Sequence, residues 1–172
     1  MTLPTLQTAR LRVMPLTLDD APFILELVND PDWIRFIGDK HVHSIADAEA
    51  YLRNGPLAMY TRYALGLFKV VCLADGRVVG MCGLIRRDGL DDVDIGFAFL
   101  PVARGQGYAQ EAAAAVFEHG FGALGLKRIV AITDVDNHAS ARVLERIGMT
   151  YVRTMRLPNE TTDLKLYEAC RG

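Results

Sequence analysis

A glycine-bearing turn with one arginine stands where an apolar strand ends and a helix begins. The strand is predicted over Asp92–Leu100, the helix over about Gly107–His119, and the run Arg104-Gly-Gln-Gly-Tyr-Ala109 joins them. A helix N-terminus offers free N–H groups and a partial positive charge, and glycine lets backbone approach a ligand. With the cation of Arg104, these features suit a pyrophosphate. The same residues also fit a tight turn with a solvent-facing arginine.

The strand before this turn has two unlike faces. Its odd positions from Val93 to Phe99 are large and apolar, whereas its even positions are Asp94, Gly96 and Ala98. Side chains alternate across a strand, so one face is expected in the core and the other is small apart from a single acid. Asp94 is therefore either a candidate for proton transfer or an acid that faces water at the strand start.

The remaining elements predict an α+β fold with a mixed sheet. A strand over Ala9–Pro15 precedes three helices, and two strands follow over Tyr63–Leu73 and Arg77–Arg86. After the helix that follows the glycine turn come a strand, a helix capped by Asn137 and two final strands. No repeat or linker divides the chain, so residues 1–172 are predicted to form one domain.

Composition excludes several classes of protein. The net charge of −2 argues against a nucleic-acid-binding surface. No apolar run is long enough for a membrane helix, and the start lacks a secretory pattern. The three cysteines lack metal-ligand spacing, so we expect no metal, no membrane partner and a cytoplasmic protein.

Two other phosphate-binding motifs do not fit. The sequence has no G-x-x-x-x-G-K-[ST], and Gln110 stands where a dinucleotide fingerprint needs glycine or alanine. The run R-G-Q-G-Y-A instead resembles the Q/R-x-x-G-x-G/A acetyl-CoA motif of the GNAT superfamily of N-acetyltransferases. The run from Asn137 to Met149 resembles N-x-x-S-x-x-x-L-E-K-x-G-F of the Rim-type (RimJ/RimL) ribosomal-protein N-terminal acetyltransferase branch. The opening T-A-R-L-R-V-M-P also resembles that branch, and the resemblance covers nearly the whole chain.

The resemblance implies a fold and an activity. The fold is a mixed, mostly antiparallel sheet of about seven strands, flanked by helices and splayed between its fourth and fifth strands. The activity is transfer of the acetyl group of acetyl-CoA, the acyl-donor substrate, to a primary amine by direct attack in a ternary complex. The acceptor is a protein N-terminus or a small-molecule amine, and the sequence does not choose between them. Dimers are common in this branch, and no sequence feature here demands one.

The resemblance also implies roles for individual residues. The backbone N–H of Ala98 matches the group that holds the thioester oxygen. Backbone at Phe99, Leu100 and Val102 matches the segment that pairs with pantetheine, and Asn137 contacts pantetheine while capping its helix. The pyrophosphate falls to the residues of the glycine turn, which are Arg104, Gly105, Gln106, Gly107, Tyr108 and Ala109.

The two proton-transfer roles are less firmly tied to the sequence. Asp94 matches the acid that serves as general base in part of the family, and because it lies about 13 Å from Ala98 at ~3.3 Å per residue, a water relay is needed. Bulk water acting on a deprotonated amine is the alternative base. Much of the family places a tyrosine at position 144, where this chain has Leu144. Ser140, which matches a serine near the sulfur, is then the predicted donor to the thiolate, although it also fits a first-turn cap. The missing tyrosine keeps open a second hypothesis, a catalytically weak acyl-CoA-binding or sensing protein.

Overall fold

The chain folds around one mixed sheet in the computed structural model, which describes residues 2–172. The strands of this described part are β1 (Leu6–Gln7), β2 (Leu11–Met14), β3 (Leu67–Cys72), β4 (Val78–Ile85), β5 (Asp94–Phe99), β6 (Arg128–Asp134), β7 (Thr150–Met155) and β8 (Leu164–Cys170). They lie in the order β1-β2-β3-β4-β5-β6-β8-β7. Neighbours pair antiparallel, except for β5 and β6, which are parallel.

The helices pack on both faces of the sheet. They are α1 (Ala21–Leu27), α2 (Pro31–Phe36), α3 (Ile45–Asn54), α4 (Pro56–Tyr63), α5 (Tyr108–Phe121) and α6 (His138–Arg146). Short 3₁₀ helices cover Leu18–Asp20 and Pro101–Ala103. Across residues 2–172, no helix has the length and apolar character that crossing a membrane requires.

The α+β class and the mixed sheet are confirmed, with two differences in the elements. The sheet has eight strands rather than about seven, because the two-residue β1 pairs with β2 at the sheet edge. The strand expected from Tyr63 begins at Leu67, since Tyr63 is the last residue of α4. Gly55 ends α3, and Pro56 supplies the fixed φ that suits the first turn of a helix.

The sheet separates two apolar cores. Val93 and, in β5, Ile95 and Phe99 pack with α5 and α6, so the odd positions lie in the core as the sequence predicts. Ala98, on the other face, packs against a second core that contains residues of α1, α2 and α3. The helix that starts at the glycine turn and the helices α1 to α3 therefore lie on opposite sides of β5.

Candidate active site

The sheet opens between β5 and β6. Their pairing consists of one position, Asp94 opposite Val130, where the N–H of Val130 donates to the carbonyl of Val93 at 3.0 Å. The strands diverge beyond this point, although β5 continues to Phe99. This is the splay predicted between the fourth and fifth of the expected strands, and it leaves one edge of β5 without a strand partner.

The direction of the backbone groups on β5 corrects two sequence-based roles. The N–H of Leu100 donates to Val79 on β4 at 2.9 Å, and its carbonyl accepts from Ala103 at 2.9 Å, so neither faces the gap. Register with β4 is continuous from Asp94 to Phe99, and backbone groups alternate in direction along a strand. Ala98 therefore also turns its N–H toward β4. The groups that face the gap belong to Phe97, which the sequence analysis did not select, and to Phe99.

The glycine turn, residues Arg104–Ala109, has the backbone that its sequence predicts. Gly105 and Gly107 have φ of 75° and 78°, in the region that side chains rarely occupy. Gly107 is the N-cap of α5, no side chain caps this end, and its carbonyl accepts from Glu111 at 3.1 Å. The next N–H groups, from Tyr108 onward, have no partner within the helix. A helix N-terminus with these free donors is able to bind an anion.

Arg10 holds the glycine turn from the outside, a role that sequence reasoning missed. Its Nη1 donates to the carbonyl of Gln106 at 2.8 Å, and its guanidinium lies 4.6 Å from the centre of the Tyr108 ring. Its Nε donates to Glu111 of α5 at 2.7 Å, and Thr8 donates to the same carboxylate. Partial burial acts to raise the pKa of Glu111, but the hydrogen bonds from Thr8 and Arg10 outweigh it and keep that pKa below its usual value.

Arg104 points back along the gap rather than out from the turn. Its Nη2 contacts Asp30 at 2.5 Å and donates to the carbonyl of Phe99 at 2.9 Å, and its Nη1 donates to Asp32 at 2.9 Å. Asp30 and Asp32 lie at the start of α2. The guanidinium thus joins three segments: the glycine turn, the end of β5 and the start of α2.

Asn137 and Ser140 meet at the start of α6, on the far side of the gap. The side chain of Asn137 accepts a hydrogen bond from the backbone N–H of Ser140 at 3.2 Å, which confirms Asn137 as the cap of this helix. Because this contact uses the Ser140 amide, the hydroxyl group takes no part in it. Leu144 is 1% exposed and packs in the core, so the position of the family's tyrosine provides no polar group.

A cleft of about 220 Å³ connects these groups. Six of the residues predicted from the sequence line it: Ala98, Phe99, Arg104, Ala109, Asn137 and Ser140. Its opposite wall comes from α1 and α2, with Leu27, Asp30, Asp32, Trp33, Phe36 and Ile37. The lining is apolar apart from a few polar groups, as in many small-molecule sites. The early helices therefore form one side of the cleft, and the glycine turn lies at its edge.

Asp94 lies away from this cleft, at the closed end of the split. Its side chain is 1% exposed, and Arg87 is its partner. The Nε of Arg87 donates to Oδ1 at 3.2 Å, while Nη2 lies 2.9 Å from Oδ2 as an ion pair that lacks hydrogen-bond geometry. Burial raises the pKa of Asp94 to about 6, although Arg87 acts to lower it. Its surroundings are those of a buried, titratable carboxylate and not of an acid facing water.

The structure also gives the position of Val102, whose backbone was expected to pair with pantetheine. The carbonyl of Val102 accepts from the Gln106 side chain at 3.0 Å, and Val102 itself is 64% exposed. Among residues 2–172, no three His, Cys, Asp or Glu side chains converge in a way that could hold a metal ion.

The site of this α+β protein combines a split sheet with a helix N-terminus at the edge of a cleft. The chain belongs to the GNAT acetyltransferases, because residues 10–150 match the acetyltransferase (GNAT) domain family. This family transfers acetyl groups from acetyl-CoA to amines, and the resemblance drawn from R-G-Q-G-Y-A is confirmed.

Individual relatives agree with this assignment. The chain is 30% identical over 159 residues to FsC-acetyl coenzyme A-N(2)-transacetylase of Aspergillus fumigatus, a match that covers 88% of this chain and 67% of that protein. It is 35% identical over 100 residues to YkkB of Bacillus subtilis, where the match spans 57% of this chain and 58% of YkkB. A solved structure of RimL, the ribosomal L7/L12 alpha-N-protein acetyltransferase, in complex with coenzyme A shares the fold. Its TM-score is 0.83 at 18% identity, with 97% of this chain and 98% of that chain covered.

Proposed function

We propose that this chain transfers the acetyl group of acetyl-CoA to a primary amine by direct attack in a ternary complex, with residues 1–172 acting as one acyltransferase domain. The observation that carries the proposal is the split between β5 and β6, which leaves Phe97 and Phe99 without a strand partner beside a cleft that ends at the N-terminus of α5. Direct transfer needs donor and acceptor held together in one site. The cleft is bounded by the glycine turn on one side and by α2 on the other.

The pantetheine arm of acetyl-CoA runs along the free edge of β5 in this proposal. Phe97 and Phe99 offer N–H and carbonyl groups to amides on that side, as an adjacent strand would. The oxyanion role first given to Ala98 passes to the N–H of Phe97, because the Ala98 N–H turns toward β4. Ala98 keeps a place in the cleft wall, where its small side chain leaves room for the acetyl group.

The pyrophosphate lies at the glycine turn. The N–H groups of Gly105 to Ala109 bind it in this proposal; the two glycines have positive φ, and a Cβ built on Gly105 meets nothing within 4 Å. Oriented amides and a helix N-terminus suit an anion of this kind. Asn137, which lines the cleft at the start of α6, contacts pantetheine from the other side of the gap in this proposal.

Proton transfer falls to Ser140 and to water. The Ser140 hydroxyl lines the cleft, and a hydroxyl can donate to the departing thiolate as the C–S bond breaks. Asp94 is too far from the cleft for direct contact with the amine. It acts through water if it acts as the base, and its raised pKa of about 6 would suit that task. The amine that attacks the thioester carbonyl carbon gives up one proton, and the thiolate gains one.

The experiment that tests the proposal measures thiol release from acetyl-CoA with a panel of short peptides and small primary amines. Stimulation by at least one amine, with the acetylated product identified by mass spectrometry, is the expected result. Tight coenzyme A binding without release for any amine would contradict transferase activity. It would favour the second candidate, an acyl-CoA-binding or sensing protein, for which the apolar Leu144 at the tyrosine position is the supporting observation.

The acceptor is a primary amine of a protein N-terminus or of a small molecule. RimL, which shares the fold, is named for acetylation of the ribosomal protein L7/L12, and the Aspergillus relative is an N(2)-transacetylase. Both names describe acetylation of an amine nitrogen. The panel should therefore contain both peptides with free N-termini and side-chain amines.

A further inference from the structure

We propose that Arg104 is a positioning residue for the acceptor side of the site and not a ligand of the pyrophosphate. The proposal rests on the proposed function, which makes α2 one wall of the acceptor cleft. The sequence motif predicts a cation aimed at phosphate. The structure instead commits this guanidinium to Asp30, Asp32 and the carbonyl of Phe99.

The geometry of Arg104 leaves it little freedom. Two of its nitrogens contact two different carboxylates, and one of them also donates to the backbone at the end of β5. Contacts between ionised donors and acceptors are the stronger hydrogen bonds in proteins, and the planar arginine fork suits several oxygens at once. These contacts direct the side chain toward α2.

Burial makes the pair with Asp30 difficult to exchange. The side chain of Asp30 is 6% exposed, whereas that of Asp32 is 54% exposed. Asp30 is the N-cap of α2 but makes no capping hydrogen bond, so its carboxylate is turned to Arg104. If Arg104 moved to a phosphate, a buried carboxylate would lose its counter-charge, which is strongly unfavourable.

The helix that Arg104 holds carries the acceptor wall. Trp33, Phe36 and Ile37 of this region line the cleft, and α2 itself has only six residues. A helix this short depends on tertiary contacts for its position. Arg104 fastens its first turn to the end of β5, so the acceptor wall is set relative to the strand that presents the thioester.

Other groups at the glycine turn can bind the pyrophosphate in place of Arg104. A helix N-terminus such as the start of α5 binds anions through its free N–H groups, and Arg10 places a second positive charge beside Gln106 and Gly107. The contact to Phe99 does not compete with pantetheine either. A carbonyl oxygen has two lone pairs and can accept from Arg104 and from one further amide.

The test uses the chain's single tryptophan, Trp33, as a reporter of α2. Acrylamide quenching of Trp33 fluorescence and the Kd of coenzyme A by calorimetry are measured for wild type, Arg104→Gln, Asp30→Asn and Arg104→Lys. Arg53→Gln is the matched control, because Arg53 pairs with Glu49 on the surface of α3 and touches neither α2 nor the turn. Circular dichroism verifies that each variant is folded.

We expect Arg104→Gln and Asp30→Asn each to raise the quenching constant by about twofold or more, because α2 opens locally. The Kd of coenzyme A should stay within about threefold of wild type in both variants. Arg104→Lys should fall between wild type and Arg104→Gln in quenching, since it keeps the charge but loses the fork, and the control should match wild type.

Any other combination overturns the proposal. A loss of coenzyme A affinity of about tenfold or more would be the effect of removing a charged contact with phosphate. Unchanged quenching in either variant would show that the ion pair does not hold α2. If the wild-type chain does not bind coenzyme A, the proposed function itself is contradicted. If the variants bind coenzyme A normally and the quenching of Trp33 is unchanged, only the role of Arg104 is contradicted.

Discussion

Arg10 donates a hydrogen bond through Nη1 to the carbonyl oxygen of Gln106 at 2.8 Å, although 96 positions separate the two residues in sequence. The same side chain pairs with Glu111 at 2.7 Å, and its guanidinium lies over Tyr108. The glycine turn contains two residues with positive φ and is intrinsically pliable. Arg10 therefore fixes a turn whose own sequence does not make it rigid.

Replacing Arg10 should weaken coenzyme A binding. In Arg10→Gln, the Gln106 carbonyl loses its guanidinium partner and the Glu111 carboxylate loses one of its donors, and the Kd should rise by about threefold to tenfold, the effect of a partly exposed contact. Arg12→Gln is the control, because Arg12 lies two residues further along the chain, in β2, and its side chain contacts Gln7 instead. Calorimetry with coenzyme A measures both. Equal affinities in the two variants would contradict a supporting role for Arg10.

Gly107 should be required for its backbone conformation. Gly107→Ala places a side chain at φ 78°, which costs about 1–2 kcal/mol and distorts the N-terminus of α5. Gly125→Ala is the matched control, since Gly125 has φ 65° and open space around its Cβ position. Both variants should lose similar stability in urea. Only Gly107→Ala should weaken coenzyme A binding, by about tenfold or more, because the turn presents the donors to phosphate.

Ser140 should affect turnover and not binding. In Ser140→Ala the backbone N–H of residue 140 still donates to the Asn137 side chain, so the helix cap is kept while the hydroxyl is lost. We expect kcat with the best acceptor of the panel to fall by about tenfold to a hundredfold, because the thiolate loses its donor. The Kd of coenzyme A should not change. Full turnover in this variant would remove Ser140 from the mechanism.

Asn137→Ala provides the contrast to Ser140→Ala. It removes the side-chain oxygen that caps α6, and the chain should lose about 1 kcal/mol of stability. Urea unfolding of the two variants then separates the capping role from the hydroxyl's chemical role. A similar stability loss in both would indicate that Ser140 also acts as a structural residue.

The side-chain pattern of β5 was predictable, but the direction of its backbone groups was not. Alternating apolar residues show which face of a strand is buried, so Ile95 and Phe99 were placed in the correct core. Which edge of the sheet a given N–H faces depends also on which strand lies on each side of β5, and the hydropathy of β5 alone does not show that. The resemblance assigned the backbone of Leu100 and Ala98 to the gap, which Phe97 and Phe99 face instead.

The partners of charged side chains were also beyond local sequence. The cap at Asn137 follows from neighbouring residues and was found as predicted, and α5 begins at Tyr108, one residue after the predicted start at about Gly107. Arg104 meets Asp30 across 74 positions, and a long-range pair of this kind is set by the packing of α2 on the sheet. Motif spacing gives the residue type at a position, whereas tertiary structure decides what its flexible side chain contacts.

Asp94 should make the stability of the chain depend on pH. Burial raises its folded pKa to about 6 from 3.8, so the folded state holds this proton more tightly than the unfolded state does. The contribution is fully present below about pH 4, and it is lost as pH rises through about 6. The total loss is about 3 kcal/mol, at about 1.4 kcal/mol per pH unit within that range.

Asp94→Asn removes this titration while it keeps the shape of the side chain. The free energy of unfolding of wild type, minus that of the variant, should fall between about pH 4 and 6 and be constant above about pH 7. The difference cancels the groups that titrate in both proteins. A difference that rises with pH would mean that Arg87 outweighs burial at this site.

If Asp94 also relays the amine proton, kcat/KM should decline below about pH 6 in wild type, and this step should be absent in Asp94→Asn. A stability slope without that kinetic step would leave bulk water as the base.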